Sequence, residues 1–194
     1  MKAAFLLLSF LSGSVPFAYI LYRVFRGEDI RKRGSGNVGA TNALRAGGPG
    51  IGLAVAALDI SKAAVPVYLA LSQGREFAFA CGLAAVAGHC FTPWLGFKGG
   101  KGVATYVGAS LVSTPLSALA GLGLFLLAAL FSGMVSVGSL SFALAVPVAS
   151  FLFYRSKVLM ALQILASLVV IYRHRGNIGR ILGGKERKVW KGFM

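Results

Sequence analysis

Residues 115–154 read PLSALAGLGLFLLAALFSGMVSVGSLSFALAVPVASFLFY and contain no charged side chain. A helix that crosses a bilayer needs about 20 predominantly apolar residues. This stretch therefore predicts two apolar helices, over 115–131 and 134–154. The rest of the chain has the same character, since 57% of its 194 residues are hydrophobic and only 13% are charged. About a quarter of the residues in a soluble domain are charged, so lipid must solvate the apolar surface that one core cannot bury.

Five more apolar runs complete a predicted all-α, polytopic membrane protein, and they cover 3–22, 50–71, 77–95, 103–113 and 157–172. We expect seven transmembrane helices, or five if two of the late runs are re-entrant or merged. The run 103–113 is too short to cross lipid alone, so its neighbours should shield it. The first run is longer than the apolar part of a signal peptide and further spans follow it, which favours a retained helix.

The basic residues are concentrated in three segments between the apolar runs, 23–49, 96–102 and 173–194. The positive-inside rule places these segments and the C-terminus in the cytoplasm and the N-terminus in the periplasm, which requires an odd number of spans. A net charge of +15 on a soluble protein would suggest nucleic acid as the partner. Here no soluble basic face is available to follow a duplex, so we exclude nucleic acid.

The first basic segment contains GSGNVGATN at residues 34–42. Its glycine spacing matches G-x-G-x-x-G, but the flanking strand and helix of a dinucleotide-binding unit are absent from the pattern, so we expect no such site. Glycine amides, short polar side chains and an arginine instead predict an anion site. The candidate residues are Ser35, Gly36, Asn37, Thr41, Asn42 and Arg45. A solvated hairpin would explain the arginines but not the density of Ser, Asn, Thr and Gly.

The second basic segment runs into GFKGGKGVAT at residues 96–105. A glycine-rich turn that leads into a helix, with lysines beside it, suits a single phosphate group. The full P-loop pattern is missing, so ATP hydrolysis is not expected. A flexible basic loop is the alternative interpretation.

The third basic segment contains RHRGNIGRILGGKE at residues 173–186. The pattern allows an amphipathic interfacial helix whose cations hold lipid headgroups or a substrate phosphate. A plain anchoring tail is the alternative interpretation.

Two ionisable side chains fall within a predicted span. Asp59 and Lys62 are three residues apart and share a helix face. Charged groups at such depth are costly and are usually paired or functional, so a structural ion pair and a role in the site both remain open. His89, seven residues before the glycine-rich turn at Gly96, is likewise either packed or functional.

Metal and cofactor chemistry find no support in the sequence. Cys81 and Cys90 form no ligand cluster, and no neighbouring histidine and carboxylate would activate Ser35. We therefore expect no metal, no cofactor and a reaction that depends on electrostatics and positioning.

Taken together, GSGNVGATN, the pair GH followed by GFKGGKGVAT, and RHRGNIGRILGGKE resemble the motifs of the bacterial acyl-phosphate:glycerol-3-phosphate acyltransferases of the PlsY type, over nearly the whole chain. The resemblance implies a multi-pass enzyme of the bacterial inner (cytoplasmic) membrane, in contact with membrane lipids, with its active site facing the cytoplasm. It implies transfer of a fatty acyl group from acyl phosphate to the 1-position of glycerol 3-phosphate, which gives lysophosphatidic acid and inorganic phosphate for phospholipid synthesis. A membrane transporter of phosphate-bearing anions is the alternative.

The motifs and the resemblance together predict roles for individual residues. The predicted catalytic residues are Ser35, Asn37, Arg45, Lys101, His174 and Asn177. The predicted substrate-binding residues are Gly36, Thr41, Asn42, Asp59, Lys62, His89, Gly99, Gly100, Gly102, Thr105, Arg173 and Arg180. Glu186 is predicted to be structural. The sequence departs from the family at Thr92 and Ala63, where a proline and a glycine are usual, which affects local backbone geometry and removes no polar group.

Overall fold

The structure is a computed structural model that describes residues 1–188. Within that range it contains ten α-helices and three short 3-10 turns, and no β-strand. The helices are α1 (Lys2–Ser14), α2 (Phe17–Arg26), α3 (Ala40–Gly47), α4 (Pro49–Ala70), α5 (Arg75–Cys90), α6 (Val103–Ser113), α7 (Pro115–Ser132), α8 (Val135–Tyr154), α9 (Lys157–Arg173) and α10 (Arg175–Leu182). The turns cover Ile30–Lys32, Leu71–Gln73 and Pro93–Leu95. Residues 189–194, the end of the predicted segment 173–194, lie outside the described residues.

The first apolar run forms two helices rather than the single predicted helix over 3–22. α1 and α2 are separated at Val15 and Pro16, because proline has no N–H to donate and disfavours helical geometry in the residue before it. The Val15 carbonyl oxygen lies outside the regular helical ladder, and Lys62 Nζ donates a hydrogen bond to it over 2.9 Å. A polar group freed by a helix break within a membrane protein needs such a partner.

The predicted helix over 77–95 begins and ends earlier, as α5. Thr92 is extended because Pro93 follows it, and the chain then makes a 3-10 turn before the glycine-rich stretch. The basic segments 23–49 and 173–194 are not loops throughout, since they contain the short helices α3 and α10.

In the part of the chain that the structure describes, five helical stretches are long and apolar enough to cross a membrane. They are Lys2–Arg26, Pro49–Gln73, Arg75–Leu95, Pro115–Ser132 and Val135–Tyr154. α9 and α10 qualify only when they are taken together across a bend of 60°. α6 is about 17 Å long at 1.5 Å per residue, against a hydrocarbon core of about 30 Å. The fold is therefore an all-α, multi-pass membrane fold, and the count of seven spans stays a prediction.

The short helix α6 lies inside the bundle, against α4, α5 and α7. Seven of its eleven residues are buried. Gly108 allows the closest approach, because a Cβ atom there would overlap the carbonyl oxygen of Ile60 in α4. Enclosure by other helices removes the need for α6 to match the thickness of the bilayer.

The three basic segments gather around one cavity at one end of the bundle. At that end Arg173 Nη2 donates a hydrogen bond to the carbonyl oxygen of Gly99 over 2.6 Å. At the other end the guanidinium of Arg75 lies over the ring of Tyr154, 4.5 Å from its centroid. The polar residues that the sequence singled out are thereby separated from the connections between α4 and α5 and between α8 and α9.

Gly108→Ala should lower the thermal stability of the detergent-solubilised protein, because the added methyl group forces α4 and α6 apart. Overpacking of this kind costs about 1–3 kcal/mol. Gly123→Ala in α7 is the matched control, since a Cβ atom there meets no heavy atom within 4 Å. Equal unfolding temperatures for the two variants would contradict the close packing of α6.

Candidate active site

A cavity of about 570 Å³ lies where the three basic segments meet. This volume is within the range of small-molecule sites, about 300–1,000 Å³. Its polar wall consists of Gly34, Ser35, Asn37, Gly39, Thr41, Asn42, Arg45, Asp59, His89, Lys101, Gly102, Ser136, Ser139, His174, Asn177, Arg180, Glu186 and Arg187. Its apolar wall consists of Ala40, Ala56, Ile60, Val103, Ala104, Val107, Leu122, Phe125 and Val135. A single cavity thus joins a cationic region to an apolar region between α4, α6, α7 and α8.

The first basic segment is organised around the buried side chain of Asn42. The Asn42 Nδ2 donates hydrogen bonds to the carbonyl oxygens of Arg33 over 3.1 Å and Asn37 over 3.0 Å. Its Oδ1 accepts a hydrogen bond from the backbone N–H of Ser35 over 2.8 Å. Gly34 has a φ of +59°, and a Cβ atom on it would overlap Asn42 Oδ1. The Asn42 amide therefore holds the loop backbone in the shape that presents Ser35 to the cavity.

The glycine-rich turn is bonded tightly to the end of α5. The N–H of Gly99 donates to the carbonyl oxygen of Cys90 over 3.2 Å, and the N–H of Gly100 donates to that of His89 over 3.1 Å. Arg173 holds the other side of the turn, with Nε donating to Gly100 O over 3.0 Å and Nη2 donating to Gly99 O. These two amides and the Arg173 guanidinium are thus engaged within the protein, and none of the three residues lines the cavity.

The start of α6 supplies the anion-binding geometry that the sequence predicted for the turn. Gly102 precedes the helix with a φ of +85°, a conformation that favours glycine. Gly102, Val103 and Ala104 all line the cavity. The first N–H groups of a helix have no intrahelical acceptor, and the helix dipole places partial positive charge beside them. An anion in the cavity therefore meets the positive end of α6.

The second and third basic segments are joined through Lys101 and Asn177. Lys101 Nζ donates a hydrogen bond to Asn177 Oδ1 over 2.6 Å, and Asn177 Nδ2 donates to Glu186 Oε1 over 2.6 Å. Glu186 also accepts hydrogen bonds from Ser136 Oγ over 2.8 Å and from Arg180 Nε over 2.7 Å. The tail after α10 is thereby tied to α8 and to the glycine-rich turn.

Lys101, Asn177 and Glu186 form a chain of hydrogen bonds with an ionisable group at each end. Burial and charge have opposite effects on the pKa values of these two groups. Burial lowers the pKa of Lys101 to about 8, although the nearby Glu186 carboxylate raises it. Burial would raise the pKa of Glu186, but hydrogen bonds from Asn177, Ser136 and Arg180 outweigh it, and the net pKa lies below the ordinary value. At neutral pH the pair is therefore an ammonium and a carboxylate.

His174 lies at the bend between α9 and α10. Its Nδ1 is 2.8 Å from the carbonyl oxygen of Val170. A carbonyl oxygen only accepts hydrogen bonds, so Nδ1 carries the proton and, in the neutral ring, Nε2 carries the lone pair. The side chain is buried and lines the cavity. The backbone bond thus fixes the orientation of a ring nitrogen acceptor.

Beneath the polar wall, Lys62 links three buried groups. Its Nζ lies 2.7 Å from Asp59 Oδ1 and 2.8 Å from His89 Nδ1, and it donates to the Val15 carbonyl oxygen. The contact with Asp59 is an ion pair by distance, without the angle of a hydrogen bond. Hydrogen bonds to Val15 O and His89 Nδ1 use two of the three ammonium protons, and the Asp59 carboxylate faces the ammonium as an ion pair. A Cβ atom on Gly100 would overlap His89 Nε2, so the histidine ring supports the turn directly.

All six predicted catalytic residues line the cavity. Six predicted substrate-binding residues also line it, namely Thr41, Asn42, Asp59, His89, Gly102 and Arg180. The other six do not line it, and they are Gly36, Lys62, Gly99, Gly100, Thr105 and Arg173. Thr105 is fully buried, and its hydroxyl has no hydrogen-bond partner among the described residues. The individual roles of all these residues stay predictions.

Three polar residues on the cavity were not singled out from the sequence. Ser136 and Ser139 lie three residues apart near the start of α8, and Arg187 lies in the tail. The one available signal was the i, i+3 spacing of the two serines on one helix face. Serine is common in apolar helices, so that spacing does not separate a cavity wall from a helix contact.

Lys62→Met should destabilise the detergent-solubilised protein by about 3 kcal/mol or more, because it leaves the Asp59 carboxylate buried without its cation. The double variant Asp59→Asn with Lys62→Met should recover part of the loss. The control is Arg33→Gln, which breaks the exposed pair with Glu28 and should leave the unfolding temperature almost unchanged. An equally small effect of Lys62→Met would show that the buried pair carries no stability.

Comparison with known proteins agrees with this geometry. A family model described as "Glycerol-3-phosphate acyltransferase" matches residues 3–184. A glycerol-3-phosphate acyltransferase of Leptospira borgpetersenii is 42% identical over 95% of this chain and 89% of its own length. The corresponding protein of Syntrophomonas wolfei is 40% identical over 97% of both chains.

The fold also matches a solved structure. A crystal structure of PlsY (YgiH), described as an integral membrane glycerol 3-phosphate acyltransferase in its glycerol 3-phosphate form, superposes with a TM-score of 0.92. It is 34% identical and covers 96% of this chain and 94% of its own. A lysophosphatidic acid form of PlsY gives a TM-score of 0.90 at 33% identity. The family model, the sequence identities and the fold together establish that this chain belongs to the glycerol-3-phosphate acyltransferase family.

Proposed function

We propose that the protein transfers a fatty acyl group from acyl phosphate to the 1-position of glycerol 3-phosphate. The products are lysophosphatidic acid and inorganic phosphate, and the reaction serves phospholipid synthesis. The observation that carries the proposal is the single cavity in which a cationic region adjoins an apolar one. Such a cavity suits two phosphate-bearing reactants, one of which has a hydrocarbon chain.

The polar wall supplies the attraction that two anions need in order to lie side by side. Lys101, Arg45 and Arg180 line it from three different parts of the chain, and the start of α6 adds the positive end of a helix dipole. Preorganised donors of this kind stabilise charge without reorganisation during the reaction. Holding the hydroxyl next to the acyl carbonyl removes the entropy cost of bringing two reactants together.

The apolar wall suits the acyl chain of the donor. Ile60, Val107, Leu122 and Phe125 come from three helices and lie next to the polar wall. Each buried methylene contributes about 0.8 kcal/mol to binding. The acyl phosphate, which is a mixed anhydride, would then place its phosphate among the cations and its acyl chain among these apolar side chains.

The chemical step needs little help from the protein, since phosphate is a good leaving group. The 1-hydroxyl oxygen of glycerol 3-phosphate attacks the acyl carbonyl carbon, and a new ester C–O bond forms. The C–O bond to phosphate breaks, and its electron pair leaves with the phosphate. A phosphate oxygen of a substrate accepts the hydroxyl proton, so the step closes with an ester and hydrogen phosphate.

The alternative from the sequence, a transporter of phosphate-bearing anions, is not favoured. The family model and both named relatives are acyltransferases. The cavity also joins its polar wall to an apolar one, which suits an acyl chain better than a hydrated ion.

The purified protein in detergent should form lysophosphatidic acid and release phosphate when it is given a long-chain acyl phosphate and glycerol 3-phosphate. Ser35→Ala and Arg45→Ala should abolish turnover while the unfolding temperature stays near that of the parent. Leu44→Ala is the matched control, since it is an exposed residue that precedes Arg45 on α3 and does not line the cavity. Full activity of both site variants would refute this assignment.

We further propose seven passes through the bacterial inner membrane, with the N-terminus in the periplasm and the cavity facing the cytoplasm. Lys2 Nζ lies over the ring of Phe77 near the start of α5, whereas Arg173 bonds the turn that follows α5. The start of α1 and the end of α9 thus lie at opposite ends of the bundle, which supports an odd number of passes, and α6 and α9 would be the two that need protein neighbours or a bend. The gathering of the basic segments at the cavity end supports the cytoplasmic side.

Single cysteines at Lys98 and Gln73, placed in a background without Cys81 and Cys90, test this orientation in intact cells. A membrane-impermeant maleimide should label position 73 without lysis and position 98 only after lysis. The reverse labelling pattern would show that the orientation is inverted.

A further inference from the structure

Glu186 lies in the tail after α10 and lines the cavity. It is the one carboxylate in the part of this tail that the structure describes. Its side chain is only 7% exposed, although it lies four residues after the end of α10. Three donors reach its carboxylate, from Asn177, Ser136 and Arg180. A carboxylate repels phosphate, so its place beside a cationic site requires an explanation beyond substrate binding.

Lys101 and Glu186 together fix the orientation of the Asn177 amide that lies between them. A lysine ammonium only donates hydrogen bonds, and a carboxylate only accepts them. Asn177 lies between Lys101 and Glu186, within 2.6 Å of each. The amide must therefore turn its oxygen to Lys101 and its nitrogen to Glu186. With the opposite orientation, the amide NH₂ would face the ammonium and the amide oxygen would face the carboxylate.

We infer that Glu186 is a positioning residue for Lys101: through Asn177 it holds the ammonium at the cavity wall and places a negative charge near it. This inference rests on the proposed function, in which Lys101 binds a substrate phosphate. Glu186 reaches Lys101 through one amide side chain and through its negative charge.

Several charged groups surround Lys101, and their signs support this role. Glu186 raises the pKa of Lys101, whereas burial, the strongest influence, lowers it. Three arginines from different elements lower it further, and they are Arg180 of α10, Arg45 of α3 and Arg173 of α9. His174 also lies close enough for its own pKa to respond to Lys101. Without Glu186, the balance around Lys101 would shift towards the neutral amine.

The pH dependence of the reaction reports this balance. The pKa of Lys101 is about 8, so its ammonium is complete well below pH 8 and is lost as the pH rises through that value. The kcat/KM for glycerol 3-phosphate, which reflects ionisation of the free enzyme, should therefore fall on the alkaline side near pH 8. The second ionisation of the substrate phosphate, with a pKa of about 6, produces a separate acidic limb.

Glu186→Gln should move the alkaline limb of kcat/KM to lower pH by about half a pH unit or more, the order expected for the loss of one nearby opposite charge. Arg180→Gln removes a positive charge near the same lysine and should move the limb to higher pH. In a Lys101→Arg background, which does not titrate in this range, Glu186→Gln should leave the position of any remaining limb unchanged. Opposite movements of the two single variants cannot arise from a general loss of structure.

The inference is overturned if folded Glu186→Gln keeps the alkaline limb of the parent, or if its activity falls by the same factor at every pH. If the glutamine variant does not fold, Glu186→Asp provides the test. Its shorter side chain keeps the charge but withdraws it from Asn177, so kcat/KM should fall several-fold and the limb should stay in place. An aspartate variant with parental kcat/KM would also overturn the inference.

These outcomes are distinct from failure of the proposed function. If the parent protein forms no lysophosphatidic acid at any pH, the proposed function fails. If the parent protein is active and the variants leave its pH profile unmoved, only the role of Glu186 fails. Calorimetric binding of glycerol 3-phosphate at pH 7 and pH 9 gives a second measurement that does not require turnover.

Discussion

The ammonium group of Lys62 joins groups from three separate parts of the chain. It reaches the carbonyl oxygen freed at the Val15–Pro16 break, the Asp59 carboxylate on its own helix, and the His89 ring on α5. The glycine-rich turn rests on that histidine, since Gly100 has room for nothing larger than hydrogen. Away from water each of these groups would be costly alone, and the ammonium offsets that cost by hydrogen bonds to two of them and an ion pair with the third.

The cavity above this cluster follows a simple electrostatic design. Cations from three segments and the positive end of α6 form one wall, and helices within the membrane form the other. The proposed reaction joins an alcohol to a mixed anhydride, and this chemistry needs neither a protein nucleophile nor a metal. Under the proposed function, the protein mainly has to overcome the repulsion between two phosphates and to keep its own cations protonated, and Glu186 is proposed to contribute to the second task.

The sequence predicted the multi-pass membrane fold and drew attention to the three segments that line the cavity, because both depend on composition. Apolar runs and clusters of glycine, asparagine and basic residues identify themselves without knowledge of contacts. The break at Pro16 could also have been predicted, since proline after Val15 disfavours a continuous helix. It was missed because the first apolar run is long enough for a single membrane-spanning helix.

Other features depended on partners that are distant in the chain. Nothing local indicates that Arg173 holds the carbonyl oxygens of Gly99 and Gly100, or that the Asn42 amide holds its own loop. Each of these residues was expected at the substrate because of its type, and type alone does not reveal whether a donor is already engaged. For the same reason, Ser136 in α8 was not distinguished from the other serines of the apolar helices.

The engagement of the Gly99 and Gly100 amides has a consequence for the design of inhibitors. Under the proposed function, a phosphate-like head group in this cavity meets side-chain cations and the start of α6, while the amides of Gly99 and Gly100 are engaged elsewhere. Attraction between ions does not require one fixed arrangement of backbone donors around the head group. Sulfonates or carboxylates of different shape should therefore be accepted as replacements for the substrate phosphate.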